Sequence, residues 1–205
     1  MLIPIGIGLY RWTALGASLR FAWASLLAYF LLLALSMALA TNYLVLPYTN
    51  APEYVIYAMA TLFGLGFAVC YALAVPPGIS RKSIVGLETV ALLGIGIELT
   101  FSAASTPVSQ WAIPLQTVIN TIIPLIYLYF LTQTSTSSLL TVPLFWISTG
   151  RLVSSLLSTL YDSLRVPMAE SSRELLIQWL CFQFTVVILC NLVYALGFWK
   201  TRQYR

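Results

Sequence analysis

Apolar residues run through this chain in six blocks of about twenty, the length an α-helix needs to cross the hydrocarbon of a bilayer at its 1.5 Å rise per residue. The first block covers 18–40, where FAWASLLAYFLLLALSMALA follows Arg20, and TNYLVLPYTNAPE ends it with Pro47 and Pro52. The second, 54–75, stops at the turn PPGISRK; the third, 83–101, is followed by the uncharged SAASTPVSQ. The fourth, 111–131, contains Pro114 and Pro124, from which a kink is expected. TQTSTSSLLT separates it from the fifth, 142–160, and YDSLRVPMAESSRE, the most charged connection, leads to the sixth, 175–199. The opening LIPIGIGLY is apolar but about half the spanning length, so it reads as a short interfacial helix or the remnant of a seventh span. No positive segment precedes it, which argues against a cleaved signal peptide. The pattern predicts an all-α, polytopic transmembrane helix bundle of six spans, with 1–205 as one transmembrane domain.

Composition agrees with lipid as the solvent. Hydrophobic residues make up 60% and charged residues 8%, against roughly 25% charged in soluble domains. The net charge of +4 is spread singly over helix ends, not drawn into the stripe that neutralises nucleic-acid phosphates, so no nucleic-acid partner is expected. Arg11, Arg20, Arg81, Lys82, Lys200, Arg202 and Arg205 fall on one side of the predicted bundle. Arg165 and Arg173 on the other are offset by Asp162, Glu170 and Glu174. The positive-inside rule then puts both termini of a multi-pass membrane protein in the cytoplasm, unless the N-terminal segment crosses too.

Several chemistries are disfavoured at once. The chain has no histidine, the commonest metal ligand and usual haem ligand, so neither a metal nor another cofactor is expected. Lysine occurs only at Lys82 and Lys200, both at boundaries, so no buried Schiff-base lysine exists. Cys70, Cys181 and Cys190 lie in apolar stretches and imply no disulfide framework. GLG and GIG are too short and too apolar in context to be nucleotide loops; they are small residues of the kind that let helices approach. Tyr10, Trp12, Tyr43, Tyr48, Trp111, Trp179, Tyr194 and Trp199 read as the aromatic belts of a bilayer protein.

Ionisable groups at membrane depth are the first candidates for function. Glu88 and Glu98 on the third span and Arg151 on the fifth stand ~7, ~22 and ~14 Å from the cytoplasmic boundary by helical rise. Arg151 can reach either carboxylate; Glu98 is the preferred partner, because Glu88 is shallow enough to meet water or headgroups. Such a pair either lines a cavity or fixes helix register. If it exists, Glu98→Gln lowers the melting temperature, and an unchanged value counts against it. Gln116 and Asn120, one turn apart on the fourth span, can bind a ligand beside carbonyls freed by the prolines or act as interhelical glue. Asn191, with Gln178 and Gln183 on the sixth span, has the same two readings.

PLFWISTG (143–150) and NLVYALGFWK (191–200) resemble a family of small, uncharacterised bacterial membrane proteins with six or seven transmembrane helices, and IGLYRW (7–12) is similar to the end of that family's first helix. The resemblance implies this architecture and a place in the bacterial inner membrane, and no activity. In the family pattern Gly is followed by an apolar or aromatic stretch, whereas here Arg151 follows Gly150.

No catalytic constellation is visible, so the chain is not expected to be an enzyme. The first expectation is a non-catalytic accessory or assembly subunit, held in the lipid bilayer against a membrane-protein partner or a second copy of itself. The alternatives are a transporter or channel using Glu88, Glu98, Arg151, Gln116 and Asn120, and a ligand-sensing bundle that signals through a partner. No internal repeat supports an inverted-repeat transporter.

Overall fold

A computed structural model describes residues 1–42, 51–101, 112–135, 138–171 and 173–201, and among them there are helices and no strand. The α-helices are α1 (Leu2–Tyr10), α2 (Ala17–Asn42), α3 (Ala51–Ala74), α4 (Ile79–Phe101), α5 (Ala112–Thr134), α6 (Pro143–Ser171) and α7 (Arg173–Trp199), with single 3-10 turns at Trp12–Ala14 and Leu139–Thr141. Each apolar block of the sequence is thus a helix. Two described stretches, Pro114–Thr134 and Ile177–Trp199, are long and apolar enough to cross a membrane, and Ala17–Leu32 and Thr61–Ala74 are shorter apolar stretches.

One local expectation is corrected. Tyr161–Glu174, expected as a connection, is helical through Ser171, and α7 begins at Arg173. Half of its fourteen residues are Leu, Arg, Met, Ala or Glu, which favour helix, and this outweighs its charge and Pro167. Pro114, inside the expected fourth helix, sits in the first turn of α5, where a missing N–H leaves no helical bond unmade. Pro124 lies inside α5 and deprives the Asn120 carbonyl of its helical donor.

The chain forms two compact units: a central one, Ala17–Ile119, and a terminal one, Met1–Gly16 with Asn120–Arg205. In the central unit α2 and α3 make the main contact. Gly66 allows it, since a Cβ there would overlap Ser25 Oγ. Beside that point Tyr29, Phe63, Phe67 and Tyr71 form a row of tilted and edge-to-face contacts, with ring centroids 4.7, 5.0 and 6.2 Å apart. Phe67, Tyr71, Leu26 and Cys70 fill this core. The α3–α4 hairpin closes at Val75-Pro76-Pro77-Gly78: Val75 N–H still donates to Tyr71 O (3.0 Å), the prolines have no N–H to continue, and Lys82 N–H donates to Gly78 O (3.1 Å) as α4 starts.

In the terminal unit α6 and α7 interlock at two glycines. Gly150 of α6 admits the Tyr194 ring, 3.0 Å from an added Cβ, and Gly197 of α7 admits Ile147 (2.7 Å) and the Pro143 carbonyl (3.0 Å). Tyr194 is therefore 2% exposed, a core residue and not part of an aromatic belt. α1 packs on α7 with Pro4 and Gly8, one turn apart, as its buried positions. Nine residues give it about 13 Å of length, less than half a bilayer core. The Arg11 guanidinium that follows it lies over the rings of Trp199 (4.5 Å) and Tyr10 (5.4 Å).

Helical hydroxyls are turned back on their own backbone. Ser25, Thr89, Ser148, Thr149, Ser158, Thr159 and Thr185 each donate to the carbonyl four residues earlier, at 2.6–3.0 Å. These seven hydroxyls are thereby satisfied without water, the condition a polar residue must meet in lipid.

Candidate functional site

The α3–α4 hairpin does not close completely along its length. Leu65, Ala68, Val69, Ala72 and Leu73 of α3 face Arg81, Val85, Glu88, Thr89 and Leu92 of α4 across a groove of about 260 Å³. Spacings of three and four place each set on one helical face. Small residues at positions 68 and 72 hollow the α3 wall, while the bulkier Phe67, Cys70 and Tyr71 are turned into the core.

Glu88 forms part of the groove wall, yet it is 2% exposed, and its carboxylate is held from outside the hairpin. Gln116 Nε2 of α5 donates to Glu88 Oε1 (3.3 Å) and lies 3.5 Å from Oε2. Gln116 is itself 1% exposed, and its Oε1 has no hydrogen-bond partner among the described residues. This corrects the expectation that Glu88 reaches water or headgroups: depth along the axis does not decide which face a residue occupies. Thr89 Oγ1 is used by Val85 O (2.8 Å). Arg81, half-buried at the turn end of the groove, makes no hydrogen bond or ion pair with a described residue.

The other candidates lie on α4, α5, α6 and α7. Glu98 is buried on α4 in the central unit, and Arg151 is buried on α6 in the terminal unit. Asn120 is half-buried on α5, one turn beyond Gln116. Asn191 is buried on α7, but its Nδ2 donates to Val187 O (2.7 Å) on its own helix. Also in the terminal unit, Thr121 Oγ1 of α5 donates to Ser155 Oγ of α6 (3.0 Å), which donates to Leu152 O (3.0 Å). Gln178 is exposed, and the Gln183 side chain, Tyr43, Tyr48 and Trp111 lie outside the described residues. Among the described residues no three carboxylates or thiols converge on a point where a metal would bind.

Sequence reasoning names Glu88 and Gln116 without their partnership, and it reads Arg81 only as a topology signal. The pattern that exposes the groove is present in the sequence: Arg81, Val85, Glu88 and Leu92 recur at four, three and four. The one cation of that row stands at the row's end, and the one carboxylate in its middle. Comparison with family models, curated proteins and solved structures returns no match, so the groove is interpreted from its own residues.

Proposed function

We propose that this chain is an integral membrane protein whose six long helices cross the bilayer, with α1 at the interface, and that it is a ligand-sensing bundle whose ligand occupies the α3–α4 groove. Membrane placement is supported by the apolar blocks, by hydroxyls satisfied within their own helices and by large apolar side chains exposed along the helices, among them Leu93, Tyr129, Phe184 and Ile188. The observation that carries the ligand reading is an apolar groove whose internal polar groups already have partners, with one cation left unengaged at its end. An accessory subunit needs no such cavity, and a transport path needs polar groups from end to end, which this lining lacks. A ligand that fits one packing of α3 on α4 better than another shifts the hairpin, and a partner protein reads that shift.

Two measurements test this reading. Membranes containing the chain are washed with alkaline carbonate, and a cysteine at Lys82→Cys, in a background lacking the native cysteines, is labelled from each side. The chain stays in the membrane and labels only from the cytoplasmic face; release by carbonate overturns the membrane assignment. The purified chain is then melted with fractions of a native lipid extract. A binding fraction raises the melting temperature, and Thr89→Trp, which fills the groove from an exposed position, abolishes the rise. Stabilisation that persists in Thr89→Trp, or no stabilising fraction, overturns the ligand reading.

A further inference from the structure

We infer that the groove ligand is a long-chain monocarboxylate, with its carboxylate on the Arg81 guanidinium and its alkyl chain lying between α3 and α4 toward Leu65 and Leu92. The inference rests on the ligand reading above and gives it a chemical class. Because α3 and α4 are joined by a short turn, they run antiparallel, so Leu73 and Arg81 mark one end of the groove and Leu65 and Leu92 the other. Eleven residues separate Arg81 from Leu92, about 16 Å of helix. At ~30 Å³ per methylene, close to one water molecule's share of volume, a groove of about 260 Å³ takes about nine methylenes of a single chain, and the far end of a longer one runs out of the groove past Leu65 and Leu92.

The polar groups choose the head. Glu88 is occupied by Gln116 and Thr89 by Val85 O, so neither presents a spare donor to the groove. Arg81 does, and a guanidinium pairs with a planar carboxylate through two parallel hydrogen bonds. A cationic amphiphile would set its charge against Arg81. A phosphate monoester would bring close to two negative charges to one cation, with the Glu88 carboxylate nearby. A fatty alcohol would leave the guanidinium donors unmatched. One negative charge on one chain fits both the volume and the charge.

The test uses the full chain in phosphatidylcholine nanodiscs with a palmitate analogue carrying a mid-chain diazirine. After illumination, labelled peptides are mapped by mass spectrometry. Adducts concentrate on the facing sides of α3 and α4, palmitate competes, and hexadecanol and dioleoyl phosphatidate do not. Arg81→Gln weakens binding about tenfold, the loss of one charge-assisted contact, and Arg81→Lys recovers part of it. Thr89→Trp abolishes groove labelling, whereas Leu93→Trp, exposed on the same helix outside the groove, leaves it intact. Labelling spread evenly over the helices, or equal competition by hexadecanol or the phosphatidate, overturns the carboxylate assignment. If palmitate fails while a lipid fraction still gives a melting shift that Thr89→Trp removes, only the ligand class falls. If no fraction gives that shift, the ligand reading falls with it.

Discussion

In the α6/α7 pair, the glycines are reciprocal: Gly150 receives Tyr194, and Gly197 receives Ile147 and the Pro143 backbone, so the helices are fixed at two points. In the α2/α3 pair, Gly66 receives the small, rotatable Ser25 side chain, and an aromatic row completes the contact. The consequence appears on the far side of α3. Its bulky residues are committed to α2, so the face offered to α4 is Leu65, Ala68, Val69 and Ala72, and that face leaves a groove. Close packing of one helix pair thus determines how much room remains at the next.

Four substitutions break or sharpen this comparison. Gly197→Val drives methyl groups into Ile147 and a backbone carbonyl that cannot rotate away; it is expected to destabilise by about 3 kcal/mol, measured by thermal unfolding in detergent. Glu88→Leu removes the acceptor of a buried amide and is expected to cost about 2 kcal/mol. Adding Gln116→Leu recovers much of that loss, and a double-mutant cycle reads the coupling. Gly66→Ala is expected to cost about 2 kcal/mol, because the added methyl meets the Ser25 hydroxyl, which can turn away, and the Ser25 Cβ at 2.9 Å, which cannot, and Ser25→Gly in the same chain restores it. A Gly66→Ala loss as large as that of Gly197→Val, or one that Ser25→Gly does not restore, would remove the distinction between the two pairs. Trp199→Leu takes the ring from beneath Arg11 and lowers stability by about 0.5 kcal/mol, seen as earlier proteolysis of the α1 end.

Helix existence was legible because a run of about twenty apolar residues has one economical structure in lipid. Helix ends were not, where charge and helix propensity disagree: Tyr161–Glu174 looks like a loop by charge and is mostly helix by composition. Tyr194 looks like a belt residue until Gly150, forty-four positions earlier, supplies its pocket. Five of the six polar candidates, Glu88, Glu98, Arg151, Gln116 and Asn191, are buried, as their cost in lipid suggests. Their partners follow from which face each occupies across helices far apart in sequence, and the bond from Gln116 to Glu88 spans 28 positions. Arg81 does not stand out in the sequence, because a basic residue at a helix end has a sufficient explanation in topology alone.

The central claim is that the α3–α4 groove holds a ligand inside a membrane-embedded bundle. Its most direct test is extraction of the full chain from native membranes in mild detergent, followed by native mass spectrometry of wild type and Thr89→Trp. The account predicts one retained small molecule per chain, present in wild type and absent from Thr89→Trp. A wild-type chain that carries no such molecule but travels with a stoichiometric protein partner, or an adduct unchanged in Thr89→Trp, would contradict it.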